Sequence, residues 1–185
     1  MSKGEGRSKT KCLAYVAAFI VFQTAIILVF ALTVMKIKSP KIRFNAIAVE
    51  SFNSNNTNSP SINMQLLTQI TVKNTNFGHF KYDNSTLTIL YNGMPVGEAV
   101  IPRGRAKARK TNKFNISVGV SSDKLSGNTN LGNDMNSGIL RLSSHAKVSG
   151  KVHLMKVIKK KKSGEMSCDW TINLATREVQ NLKCK

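Results

Sequence analysis

The chain has 185 residues, of which 41% are hydrophobic, a share ordinary for a folded protein. Its charge is not ordinary: 28 Lys and Arg against 9 Asp and Glu give a formal net charge of +19. That imbalance specifies no fold and excludes none, but it implies solubility, self-repulsion and attraction to polyanions such as nucleic acid, anionic lipid or acidic polysaccharide.

Residues 1–11 read as a short basic tail. Residues 12–35, from Cys12 to Met35, carry no charge at all. As a helix they would be about 36 Å long, enough to cross a hydrocarbon core of about 30 Å with some tilt. Thirteen of them are Leu, Ile, Val or Phe, worth roughly 4–8 kcal/mol of favourable insertion as an upper bound. A cleaved signal peptide has a shorter apolar region, of about 7–15 residues. A surface helix packed on a core would show a polar stripe, and apolar residues cover every face of this one. The segment is therefore expected to be a single transmembrane helix.

Orientation is not settled by the flanks. Lys3, Arg7, Lys9 and Lys11 stand on one side, and Lys36, Lys38, Lys41 and Arg43 on the other, a tie under the positive-inside comparison. Cys12, at the boundary, is open to palmitoylation or is simply a small residue that tolerates the interface.

After a basic linker over residues 36–43, residues 44–185 have one domain's length and read as strands. Met64, Leu66, Thr68, Ile70 and Val72 alternate with mostly polar neighbours, the period of a half-buried strand. The same period runs through Leu87, Ile89 and Tyr91, then Phe114, Ile116, Val118 and Val120. It returns in Leu140, Leu142 and Ser144, in Val152 and Leu154, and in Trp170, Ile172 and Leu174. Asn92-Gly93 predicts a tight hairpin, because both residues tolerate positive φ. Ser149-Gly150 predicts a bulge or bend in a long strand. Residues 159–165, "KKKKSGE", read as a polar hairpin end. Residues 53–61 read as a loop, and residues 121–138 as mostly loop with one helical turn near Leu131 to Met135. The expected class is mainly β, an antiparallel β-sandwich of about seven strands.

The connection "VKNTNFGHFKYDNS", from Val72 to Ser85, is too long for a two-residue hairpin. Asn74 and Asn76 suit a tight reversal, since Asn tolerates left-handed backbone and bonds its neighbouring amides. Phe77, Phe80 and Tyr82 can pin that corner. His79 and Asp83 would need a converging nucleophile to form a catalytic site, and no "GxSxG" or "HExxH" context is near. No His, Cys or acidic pair shows metal-ligand spacing, and no phosphate-cradling glycine loop is present. The expectation is a protein without catalytic, cofactor or metal residues, and not an enzyme.

These segments also carry a resemblance. "NTN" at residues 74–76, "YDNS" at 82–85, "LYNGMPVGEAVIP" at 90–102 and the terminal "CDWTINL…LKC" resemble the water-stress and hypersensitive-response domain. That domain defines the group 2 late embryogenesis abundant proteins of plants and their membrane-anchored relatives, the harpin-induced-like family. Thr75 stands where the common pattern has Pro. The match covers nearly all of residues 44–185, and the short basic tail before one span matches the anchored members. The resemblance implies an immunoglobulin-like or fibronectin III-like sandwich, a stress or defence association, and no catalytic apparatus.

Charge is the remaining functional signal. Two clusters stand out, Arg103, Arg105, Lys107, Arg109, Lys110 and Lys113, and Lys159, Lys160, Lys161 and Lys162. They read either as solvated, edge-protecting charge or as a patch for anionic lipids or other polyanions, where each basic residue near a membrane contributes about 1 kcal/mol. Nucleic acid is not expected, because it conflicts with the anchor and neither cluster interleaves stacking aromatics. Two functions stand side by side: a non-enzymatic interaction module of a single-pass membrane protein, with lipids or other membrane proteins as partners, and a lipid-binding or lipid-transfer domain tethered to its membrane.

Sequons at Asn55, Asn84 and Asn115 establish little. With 18 Asn and 31 Ser and Thr, chance alone yields about three. The cysteines say more. "SCDWTINL" and "REVQNLKCK" read as arms of a terminal hairpin, and a turn centred on Thr176 makes facing residue numbers sum to 352. Cys168 and Cys184 then face each other within disulfide reach. The alternative is two reduced cysteines packed as small apolar residues. The bond is favoured, and with it an extracytoplasmic domain at the plasma membrane or endoplasmic reticulum.

Overall fold

The computed structural model describes residues 5–34, 36–55, 60–125, 129–154 and 158–185. The chain divides into two compact units, Met1–Ile37 and Lys38–Lys185.

The first unit is helix α1 (Glu5–Val34). Within it, Lys11–Thr33 is long and apolar enough to cross a membrane, with a mean hydropathy of 2.5. Its threonines satisfy their own hydroxyls: Thr24 Oγ1 donates to Val21 O and Thr33 Oγ1 to Val29 O, each at 2.8 Å. Such back-bonding removes donors that lipid would leave unpaired. The far end expected for the span, Met35, lies outside the described residues.

Among the described residues the second unit has ten strands and two helices. The strands are β1 (Lys41–Asn55), β2 (Ser61–Lys73), β3 (His79–Tyr82), β4 (Ser85–Tyr91), β5 (Met94–Ile101), β6 (Gly104–Ala106), β7 (Thr111–Ser121), β8 (Ile139–Leu154), β9 (Ile158–Asn173) and β10 (Glu178–Cys184). A 3-10 turn (Asp123–Leu125) and α2 (Thr129–Ser137) join β7 to β8. All pairs are antiparallel, and the hydrogen bonds draw one continuous ten-stranded sheet rather than two. The sheet runs β1-β2-β7-β5-β4-β8, with β9 and then β10 beyond β8. β5 joins β7 through the single described pair Gly97↔Val120, so two well-laddered halves meet at a weak corner. The curl brings the ends together: Phe44 of β1 meets Trp170 of β9 edge-to-face, with ring centroids 5.7 Å apart. A near-barrel thus replaces the expected two-sheet sandwich.

Seven strands were legible from alternation and hairpin signals; β1, β3 and β6 were not. Register shifts between Phe44 and Ala46 and between Val49 and Ser51 break the period of β1. β3 and β6, at four and three residues, are too short to show one. The basic linker is also shorter than expected, since Lys41, Ile42 and Arg43 already pair in β1. α2 is a nine-residue helix, not one turn, and Tyr91 Oη on β4 bonds its Asp134 at 2.9 Å.

The core follows the predicted alternation closely in β2, where Ile62, Met64, Leu66, Thr68, Ile70 and Val72 are all buried. Asn92 and Gly93 have φ of 48° and 81° and join β4 to β5 as a tight hairpin. Gly150 is not a bulge. β8 pairs without interruption along β9, and a Cβ at Gly150 would strike the Lys81 carbonyl. Glycine there lets β3 lie against β8.

Candidate anion-binding face

The site begins at the asparagine corner. Asn74 Nδ2 donates to the carbonyls of Gly78, Ala106 and Lys107 at 2.7, 3.2 and 3.1 Å. Its Oδ1 accepts from Asn76 N and Nδ2, both at 3.0 Å, and its backbone N–H donates to Lys110 O. Asn76 exchanges bonds with Lys38: Lys38 N donates to Asn76 Oδ1 at 2.7 Å and Asn76 Nδ2 to Lys38 O at 2.8 Å. Both asparagines are buried. Together they hold the turn after β6, and the start of the β unit, against the corner before β3. His79 and Asp83 do not converge on a site: Asp83 is exposed, and its N–H donates to Ser149 O.

That corner places β3 between β6 and β8. Across the sheet, Arg105 of β6 faces Lys81 of β3, Lys81 faces Lys151 of β8, and Lys151 faces Lys161 of β9. Directly facing residues project from one side of a sheet, and all four are exposed. Two residues further along, His79 faces His153 and His153 faces Lys159. The two imidazoles stack with centroids 5.0 Å apart and planes 11° from parallel. A row of four cations therefore crosses the outer face, with a second row beside it formed by the histidine pair and Lys159. Burial, followed by the surrounding cations, holds both imidazoles below the usual His range: chiefly Arg105 acts on His79, and Lys81, Lys159 and Lys151 on His153.

The rows regroup the predicted residues. Arg105, Lys159 and Lys161 belong to them. Lys160 and Lys162 face Val152 and Gly150 and so alternate to the other side, which corrects the reading of residues 159–165 as a hairpin end: they lie inside β9. Lys113, on β7, faces Thr71 of β2, away from the rows. Arg103 donates its backbone N–H to Asn84 Oδ1 at 2.7 Å. Lys107 and Lys110 close the turn after β6 through Lys110 N to Lys107 O. Arg109 is structural: its φ is 57°, its guanidinium lies 5.0 Å from the Phe77 ring, and its N–H donates to Asn76 O. Lys81, Lys151 and both histidines were missed as row members, because only the pairing of β3 with β8 brings them together.

Cys168 and Cys184 are disulfide-bonded across β9 and β10. The register reaches this pair by a different route from the predicted one. Glu178↔Asn173 to Gln180↔Thr171 sum to 351, and a register shift between Gln180 and Lys183 moves Cys184↔Cys168 to 352. Asn181 lies inside that shift with φ 56°. Asn84 and Asn115 are exposed, and the Oδ1 of Asn115 accepts from Gln69 Nε2. The sequon at Asn55 runs into residues outside the described ones. No group of three or more His, Cys, Asp or Glu able to hold a metal occurs among the described residues.

A β domain with a cationic outer face defines a class before it defines a protein. Residues 69–169, more than half of the chain, match the family model described as Late embryogenesis abundant protein, LEA_2. The chain belongs to that family of stress-related proteins, which in general are not enzymes. It is 34% identical over 181 residues to Late embryogenesis abundant protein At1g64065 of Arabidopsis thaliana, covering 95% of this chain and 83% of that protein. Among solved structures it is similar to AT1g01470 from Arabidopsis thaliana, with TM-score 0.44, 16% identity, and 72% of this chain and 82% of that one covered. A second likeness is to the putative late embryogenesis abundant protein At2g46140.1, with TM-score 0.41, 13% identity, and coverages of 92% and 90%.

Proposed function

We propose that the chain is a non-enzymatic, single-pass member of the harpin-induced-like branch of its family. Its water-stress and hypersensitive-response domain serves plant stress or defence by binding an anionic partner. The observation that carries this reading is the convergence of basic residues, up to 80 positions apart in sequence, onto one outer face. Like charges directly opposite across a ladder destabilise it, so the rows do not serve stability. α1 supports the anchor by length and composition, and the disulfide supports a domain on the oxidising side of the membrane.

The lipid-carrying alternative draws no support from the apolar void among the described residues. The apolar void bordered by Tyr91, Leu131 and Leu140 measures about 10 Å³, about one water's worth of space and far too small for an acyl chain.

Microsomes test the reading. Full-length protein should stay in the pellet through alkaline carbonate washing, and protease added outside sealed, cytosol-side-out vesicles should spare the β domain. Release by carbonate would remove the anchor; digestion would reverse the orientation.

A further inference from the structure

We infer that the double row crossing β6, β3, β8 and β9 is a docking site for a linear acidic polysaccharide rather than for a phospholipid surface. The inference rests on the binding-face and orientation readings above and names the partner they leave open.

Shape is the first argument. Neighbouring strands lie about 4.8 Å apart, so Arg105, Lys81, Lys151 and Lys161 form a line of roughly 14 Å, and the His79–His153–Lys159 row runs about 7 Å from it. On the other side of the line the cationic run ends at a single carboxylate, Asp83, which is exposed and borders a cleft with Lys151, Lys161, Ser149 and Ser163. Ser149 faces Ser163, and beyond them Lys147 is neutralised by Glu165 at 2.8 Å. A narrow band of regularly spaced cations fits a chain with a charge on each sugar unit; a bilayer presents charge in two dimensions.

Surface chemistry is the second. Stable docking to a bilayer draws on apolar insertion beside charge. Among the described residues the large exposed hydrophobics of the β unit are Phe77, Met94, Val100 and Ile139, and none belongs to either row. Phe77 is engaged on one ring face by Arg109, whose guanidinium lies 5.0 Å from the ring centroid. Lysines act as hydrated point charges without fixed directionality, which suits carboxylates on a flexible polymer, while the paired imidazoles offer N–H groups to sugar hydroxyls.

Location is the third. The attractive negative potential of anionic lipid belongs to the cytoplasmic leaflet, whereas the Cys168–Cys184 bond belongs to the oxidising side. On that side a polyanion must come from elsewhere.

The histidine pair makes the site acid-tunable. The charged groups that face it are Arg105 on β6, Lys81 on β3, Lys151 on β8 and Lys159 on β9, all cations. Burial first, and then these cations, hold both rings below the usual imidazole range. A bound polycarboxylate offsets those cations and favours the imidazolium, so binding takes up protons and tightens as pH falls.

Full-length protein in phosphatidylcholine nanodiscs, titrated at low ionic strength, tests this. The probes are polygalacturonate, uncharged dextran, and vesicles of phosphatidylcholine with phosphatidylserine. Polygalacturonate should bind and dextran should not. K81Q/K151Q should weaken polygalacturonate binding roughly tenfold or more. K41Q/K73Q removes two charges from the facing, exposed pair on β1 and β2, and should change it less than about twofold. Equal losses from the two variants would overturn the band as a site. Vesicle binding that is sensitive to K81Q/K151Q, without polygalacturonate binding, would overturn the polysaccharide while leaving the binding face standing. Binding to neither polyanion would remove both. Affinity for polygalacturonate should rise from about pH 7.5 to about pH 5.5, and H79N/H153N should flatten the rise. A flat wild-type profile would overturn the histidine role.

Discussion

The two ends of the β8–β9 ladder are made of the same strands and serve opposite ends. Near its middle and towards β10, Lys147 is paired with Glu165, and Cys168, facing Ser144, carries the disulfide to β10. Towards residues 155–157, Lys151 faces Lys161 and His153 faces Lys159, with no carboxylate across from either. One end is fastened and charge-balanced. The other accumulates like charge across four adjacent strands and is held by the asparagine corner instead. Stability does not account for the charged end: like charges directly opposite across the ladder are left in place.

The fastened end should break most severely. Replacing Cys168 and Cys184 by Ala releases a loop with a sequence separation of 16, and the chain-entropy model gives a loss of about 3 kcal/mol. Denaturant unfolding of the double variant against oxidised wild type measures it. An unchanged midpoint would show that the hairpin and its bulge hold β10 without the bond.

The charged end depends on Asn74 in the same way. Asn74→Ala removes the donor to the Gly78, Ala106 and Lys107 carbonyls and strands the buried Asn76 N–H. Buried polar groups left unpaired cost about 1–3 kcal/mol each, and partial rehydration at the turn should hold the total to about 2–3 kcal/mol. Unlike the cysteine variant, it should also weaken polyanion binding, because β6 and Arg105 lose their seat.

Lys151→Glu sharpens the contrast by reversing it. A carboxylate between Lys81 and Lys161 replaces two like-charge pairs with two opposite ones, which should stabilise the fold by no more than about 1 kcal/mol. The same change should abolish polyanion binding. A variant that is at once more stable and inactive would establish that the row is kept against stability; a less stable one would mean the neighbours already find counter-charges.

The contrast also marks what sequence can carry. Alternation exposed β2 and the two ends of β8 because every second residue is buried on one continuous face. The terminal hairpin was legible from its cysteines, although the bulge at Asn181 that sets their register was not. β1 hid behind its two register shifts, and β3 behind its length. The rows were illegible for a different reason. Arg105, Lys81, Lys151 and Lys161 are unremarkable singly, and each was placed beside the next by strand pairing, which no local pattern encodes. The asparagine corner was read correctly as a turn, but its reach to Lys38 and Lys107 is tertiary.

The smallest effect should come from acid. His79 and His153 have folded-state pKa values below their ordinary 6.5, from burial first and then from the cations around them. A depressed pKa means that the unfolded chain binds more protons once pH falls below about 6.5. Stability from this pair is therefore fully present above that value and is lost as pH falls through the lower folded values. Glu165 also has a depressed pKa, through its hydrogen bond and attraction to Lys147, so its contribution is present above the ordinary carboxylate range and lost only in stronger acid. The two ends of the ladder should thus titrate in separate windows: the histidine end first, the ion-paired end later. H79N/H153N should remove the upper window alone, and Glu165→Gln the lower alone, in thermal unfolding followed across pH without any polyanion. With saturating polygalacturonate the upper window should reverse its slope, because the ligand then favours the protonated rings. An upper window that survives in H79N/H153N would assign it to other groups and detach the histidine pair from the charged end.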